Sequence, residues 1–155
     1  CIPVYLFGRL KFIDARIRHS GTRKPKYNRR PEGISVADVL FPVDKIDNTN
    51  EVVLVEGMYD MLNLWEKGIT NCLCIFGTQN FNKKKIELLD KIGIHKVILM
   101  MDGDIAGRNA TTKIKGLLDY NNILSKEIYL PEGIDPGNIS KEYLYELLGI
   151  EEEIE

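Results

Sequence analysis

From Val52 to Leu148, short apolar runs alternate with segments whose apolar residues recur at helical spacing. Residues 52–55, 72–76, 96–101 and 125–130 read as strands, because each is a brief apolar-rich run bounded by turn residues. Residues 58–67, 81–92, 106–120 and 140–148 read as helices. In the first helix Met58, Met61, Leu62 and Trp65 form the expected inner face; in the second it is Phe81, Ile86, Leu89 and Ile92. Gly68 and Gly93 stop these two helices, and Ser140 caps the last, with Glu142 and Tyr143 in its first turn. A strict β-α alternation of this kind implies a four-stranded, mostly parallel sheet with helices on both faces, an α/β architecture.

The first third of the chain has a different texture. Residues 2–7 and 10–18 are apolar-rich runs around Gly8-Arg9 and read as a β-hairpin. In its second strand Phe12, Ala15 and Ile17 alternate with charged residues, so one face is expected to be wet. Residues 19–35 are polar, basic and broken by Gly21, Pro25, Pro31 and Gly33, which reads as a long loop. Residues 44–51 read as a linker, so the expected division is a small β-rich part over 1–48 and an α/β domain over 49–155.

A formal net charge of -2 names no partner, but the charge is unevenly spread. Residues 16–30 hold seven Lys or Arg and no acid, a block able to grip a polyanion locally. The three cysteines make no C-x-x-C pair, and His19 and His95 complete no zinc pattern; this usage favours a reducing, cytoplasmic setting. No signal peptide and no apolar run of membrane length appears. The chain opens on Cys1 rather than Met and reads as a fragment of a longer polypeptide.

The chemistry concentrates at strand ends. The run Val97 to Met101 breaks into Asp102-Gly103-Asp104-Ile105-Ala106-Gly107-Arg108, and the C-terminal edge of an open α/β sheet is where such folds place their sites. Glu56-Gly57 follows residues 52–55 in the same way, with Asp60 four residues on and on the same face of the first helical turn. Asp135-Pro136-Gly137 offers a further acid on that edge. Taken singly, Glu56 is explained as an acid at a helix start, and one D-x-D is unremarkable. Together, Glu56, Asp102 and Asp104 would share a small volume if their strands are neighbours. Crowded carboxylates need a cation or a basic partner, and Mg²⁺ suits hard oxygen ligands that include waters and substrate phosphates.

Glu56-Gly57-Met58-Tyr59-Asp60, Phe76-Gly77-Thr78, Asp102-Gly103-Asp104-Ile105-Ala106-Gly107 and Leu130-Pro131-Glu132-Gly133-Ile134-Asp135-Pro136 resemble, in order, the motifs of the Toprim domain. The form of the last two is most similar to the bacterial and phage-type primases, which make RNA primers for DNA replication. The segment before them adds to the likeness, with Arg18 and then Pro25-Lys26-Tyr27 at places where primases hold nucleic acid or nucleotide. Two departures stand out. Val36-Ala37-Asp38 lies where primases usually carry a second Lys, and Gly137 where many carry a second late acid.

The resemblance implies metal-dependent nucleotidyl transfer from nucleoside triphosphates on a single-stranded DNA template. It implies Asp102 and Asp104 as ligands of Mg²⁺, for which Mn²⁺ can substitute, with Asp60 and Asp135 at a second ion. Glu56 acts as a metal ligand or a general acid/base. Arg18 and Lys26 hold triphosphate or template, and Arg108 either joins them or pairs with Asp104. A replicative helicase would be contacted through regions outside this chain, and no membrane is involved. Two alternatives remain open at this point: another Toprim enzyme, a nuclease or topoisomerase, or a non-catalytic nucleic-acid-binding module.

Overall fold

The computed structural model describes residues 1–16 and 27–151, and two sheets organise them. The first is antiparallel and three-stranded, in the order β1 (Ile2–Leu6), β2 (Arg9–Arg16), β3 (Tyr27–Arg30). The second is parallel and four-stranded. Its strands are β4 (Glu51–Val55), β5 (Cys72–Cys74), β6 (Lys96–Leu99) and β7 (Leu124–Glu127), in the spatial order β5-β4-β6-β7. Four helices connect and close it: α1 (Met58–Glu66), α2 (Lys83–Lys91), α3 (Ile105–Tyr120) and α4 (Lys141–Leu148).

The two-residue period of the central strands sorts their side chains onto opposite faces. Val53, Val55, Ile98 and Met100 face one core with Met58, Met61 and Leu64 of α1 and Leu144 of α4. Val52, Leu54, Val97 and Leu99 face the other with Ile86 and Leu89 of α2 and Ile114 and Leu118 of α3. Strands buried on both faces explain why these runs are continuously apolar. Val4 and Phe12 of the antiparallel sheet, with Val36 and Val39, complete the first core, so the two sheets share packing. Phe41 reinforces the junction by exchanging backbone hydrogen bonds with Cys74 at the β5 edge.

Several details differ from the sequence reading. The expected loop over 19–35 contains strand β3, which pairs with β2 and sets Asp14 opposite Arg29. On β2 it is Phe12 and Asp14 that turn inward while Ile13 is 39% exposed, because Asp14 has a cationic partner across the strand pair. Ile17 lies outside the described residues. The inner face of α1 uses Leu64 rather than Leu62, and Trp65, half-buried, donates its indole N–H to the Cys72 carbonyl at 3.3 Å. The second helix begins two residues later than expected: Asn82 accepts from the Lys84 N–H and caps it. Lys85 is fully buried there and donates to the Ile75 carbonyl. That burial pushes its ammonium pKa down to about 8. Ser140 caps α4 as expected, its hydroxyl accepting from the Tyr143 N–H at 3.2 Å.

Candidate active site

Adjacent parallel pairing of β4 with β6 brings the ends of those strands side by side. The turns that follow carry Glu56 and Asp102 into one cavity of about 800 Å³, shared with Asp60 and Asp135. Four carboxylates therefore reach the cavity from three separate turns and the start of α1.

Backbone packing holds these turns in register. The Gly103 N–H donates to the Ile134 carbonyl at 3.0 Å, which fastens the turn after β6 to the loop bearing Asp135. A Cβ at residue 103 would lie 2.0 Å from the Pro131 carbonyl oxygen, so the approach is open only to glycine. From α1, Asn63 donates its side-chain amide to the Pro136 carbonyl at 2.7 Å and ties down the far end of the same loop. Gly137 sits between two carboxylates: a Cβ there would stand 2.8 Å from Asp60 and 3.1 Å from Asp135. The late position that lacks an acid in this sequence is thus filled on the inside by Asp60 and Asp135.

Asp60 carries the electrostatic cost of this assembly. Burial, and then the charges of Asp102, Asp135 and Glu56, push its pKa up to about 6. The Gly57 N–H, donating to Asp60 Oδ2 at 2.7 Å, opposes that rise without cancelling it. Among the described residues no three acidic, histidine or cysteine side chains close around a point as a metal cage. The four carboxylates that line the cavity offer oxygen donors, the class a hard divalent cation takes together with waters and substrate oxygens. The residues fit Mg²⁺ on that ground.

The other sequence candidates fall elsewhere. Asp104 is exposed outside the cavity, and its Oδ1 accepts from the Gly107 N–H at 2.7 Å, capping α3. Arg108 is exposed in the first turn of α3 and does not line the cavity. Arg18 and Lys26 lie outside the described residues.

The antiparallel sheet supplies a wall that motif reasoning passed over: Asp14, Arg16 and Arg29 line the same cavity. Arg29 Nε meets Asp14 Oδ1 at 3.1 Å, and its guanidinium lies 5.7 Å from the centre of the Phe76 ring. Burial raises the Asp14 pKa, and the Arg29 charge holds part of that rise back. Arg16 lies 4.7 Å from the centre of the Tyr59 ring. The available signal was the acid-free basic block, whose first residue is Arg16 and which also holds Arg29.

A family model described as Toprim-like matches residues 53–139. The chain is 30% identical over 142 residues to the DNA primase of Halalkalibacterium halodurans, covering 88% of this chain and 23% of that protein. To the Aquifex aeolicus DNA primase it is 32% identical over 127 residues, covering 78% and 25%. The chain thus spans about a quarter of the length of these curated relatives. Among solved structures, the zinc-binding and RNA polymerase domains of the Aquifex aeolicus primase align with a TM-score of 0.81 at 30% identity, covering 96% of this chain and 39% of that one. A primase catalytic domain bound to single-stranded DNA aligns with a TM-score of 0.76 at 27% identity, covering 95% and 50%. The carboxylate-bearing turns after β4 and β6 and the loop after β7 all fall inside the matched segment, and the chain belongs to the Toprim-like family.

Proposed function

We propose that the chain is the central part of a primase, a nucleotidyltransferase that joins ribonucleotides into short RNA primers on single-stranded DNA during replication. The observation that carries this reading is the extent of the likeness. The match to the Aquifex aeolicus primase takes in 96% of the chain, the antiparallel sheet as well as the parallel one. In this reading residues 1–48 end the primase's N-terminal subdomain and residues 49–155 form its Toprim domain. The setting is cytoplasmic, with a replicative helicase met through other parts of the polypeptide. Among the described residues no helix is long and apolar enough to cross a membrane.

Glu56, Asp102 and Asp135, with Asp60, would hold Mg²⁺, or Mn²⁺ in its place. Such an ion stabilises the attacking and leaving oxygens of an in-line displacement. Asp104 joins that set through the carboxylate oxygen not used in its helix cap. Asp102 is the residue on which transfer depends most, since it leaves the strand paired with β4 and faces Asp60 and Glu56. Glu56 either holds the ion or takes the proton of the attacking hydroxyl. Asp60, whose pKa burial and the neighbouring carboxylates push up to about 6, would hold the ion in its carboxylate form. Arg18 and Lys26 bind template or nucleotide, in the stretch whose flanking residues Arg16 and Arg29 line the cavity. Arg108 extends that contact along α3.

The test is primer synthesis from ribonucleoside triphosphates on a single-stranded template with Mg²⁺. In a primase polypeptide that carries this segment with its other domains and makes short RNA, Asp102→Ala is expected to lose at least about a hundredfold in rate, in line with the loss of a metal ligand. Full activity in Asp102→Ala would overturn the assignment. Strand cleavage in place of synthesis would move the chain to the nuclease branch of the family.

A further inference from the structure

Of the lysines among the described residues, Lys85 alone is buried, and no step of the proposed chemistry uses it. It sits in the first turn of α2, and its ammonium donates to the carbonyl of Ile75, the residue just past the end of β5. The charged or titratable groups around it are the buried thiol of Cys74, Asp38 before β4, and Arg29 of β3. Its hydrogen bond goes to none of them but to a neutral carbonyl. Holding an ammonium there is costly, as its lowered pKa records. A methionine would fill the same length without that cost. The ammonium supplies what packing cannot, a strong donor.

What it holds is the start of a left-handed turn. Phe76 has φ +57° and Gly77 φ +103°. A bulky aromatic persists in that region only where its surroundings fix it. Three hydrogen bonds do so: Lys85 holds the Ile75 carbonyl, the Asn80 amide donates to the Phe76 carbonyl at 2.6 Å, and the Gly77 N–H donates to the Glu56 carbonyl at 3.0 Å. The third fastens the turn to a residue of the acidic wall. The Phe76 ring meanwhile stands 5.4 Å from the centre of the Phe12 ring and 5.7 Å from the Arg29 guanidinium. Phe76 and Gly77 line the cavity, so one turn touches both of its walls.

We propose that Lys85 is a positioning residue: its ammonium, anchored to Ile75, keeps the Phe76-Gly77 turn in the conformation that fixes Glu56 on one wall and seats Arg29 on the other. Wholly buried, Lys85 acts only through these residues. Its effect on a reaction rests on the nucleotidyl-transfer reading; its hold on the turn rests on the hydrogen bonds alone.

The experiment is amide hydrogen exchange of the chain, residue by residue, in parent, Lys85→Met and Lys85→Gln forms. Gly77 reports the turn. Val53 of β4, whose N–H donates to the Asn71 carbonyl at 2.9 Å, reports the core. Lys85→Met is expected to keep the parent's Tm, because relief of the desolvated ammonium offsets the carbonyl left without its donor. Gly77 exchange is expected to quicken about tenfold or more, the usual loss of a charge-assisted hydrogen bond, with Val53 unchanged within about twofold. Lys85→Gln, a shorter and neutral donor, is expected to fall between the two, and it carries the test should Lys85→Met fail to fold. In a primase polypeptide that carries this segment with its other domains, Lys85→Met is expected to lower kcat about tenfold to a hundredfold, the usual cost of losing an outer support, and Lys85→Gln to recover part of it. The inference is overturned if Gly77 exchanges as in the parent in the variant that folds. It is equally overturned if Gly77 and Val53 lose protection together, the mark of a residue that serves the core alone. Undiminished primer synthesis in Lys85→Met would overturn it too and leave the nucleotidyl-transfer reading standing. A loosened turn in a polypeptide whose parent form makes no primers would keep Lys85 as the anchor of the turn and remove primer synthesis.

Discussion

The two walls of the cavity manage charge in opposite ways. The parallel sheet brings Glu56, Asp60, Asp102 and Asp135 together and leaves their repulsion to be relieved from outside, as the raised Asp60 pKa records. The antiparallel sheet compensates part of its charge internally, setting Arg29 against buried Asp14, while Arg16 lies on the Tyr59 ring of α1. On the proposed reading, the first wall takes a cation that the protein does not itself provide. The other is already settled, so it is expected to look the same with and without ligand. Backbone contacts carry the first wall and side-chain pairs the second, which makes them separable by mutation.

The largest effect on stability is expected at Gly103. Gly103→Ala forces a methyl against the Pro131 carbonyl, and at the upper end of overpacking costs this should remove about 3 kcal/mol. Urea denaturation measures it; a loss under about 0.5 kcal/mol, the level of a neutral surface change, would mean that the acidic wall does not depend on that close approach. Next is Asp14→Ala, which strands Arg29 beside a buried pocket. Since the Arg29 side chain is 28% exposed, the cost is expected at about 2 kcal/mol, below that of a fully buried pair.

A third measurement addresses the acidic wall directly. Asp60 has a folded pKa of about 6, raised from 3.8, so the folded chain binds more protons than the unfolded chain between those values. Stability therefore falls as pH rises from about 4 to 6 and levels off above. Asp60→Asn should abolish most of that slope, a difference of about 2 kcal/mol at pH 7. Mg²⁺ should raise the Tm of the parent chain more at pH 7 than at pH 5, because protonated Asp60 is a poorer ligand. A Tm indifferent to Mg²⁺ at both pH values would contradict the picture of a wall awaiting a cation. The smallest effect concerns Asp104. Asp104→Ala should cost about 1 kcal/mol through loss of the α3 cap, and Asp104→Asn much less.

Much of the parallel half was legible in the sequence because its signals are local. Apolar runs buried on both faces, helical spacing and glycine stops are all read within ten or so residues. Glu56 and Asp102 became a pair only through strand order, which the alternation implies but no single motif states. Arg16 and Arg29 were hidden for a different reason. Their place depends on β3 folding back on β2, and β3 is a polar tetrapeptide with no hydrophobic alternation to announce it. The inward turn of Asp14 is likewise unreadable without its partner. Asp104 shows the converse: residue type and spacing suggested a ligand and said nothing of the second task of that carboxylate, which accepts from the Gly107 N–H through Oδ1 and caps α3.

The hydrogen bond from Asn63 to Pro136 spans 73 residues, and that from Tyr145 to Lys67 spans 78. Closures of that length come late in folding, because chain entropy is spent before they form. The loop that delivers Asp135 is fastened by one of them, so a chain with its sheet formed but that loop unfastened has strands without a complete reaction centre. Assembly of the four-carboxylate cavity is then a late event of folding, and a partly folded chain has its strands without that cavity.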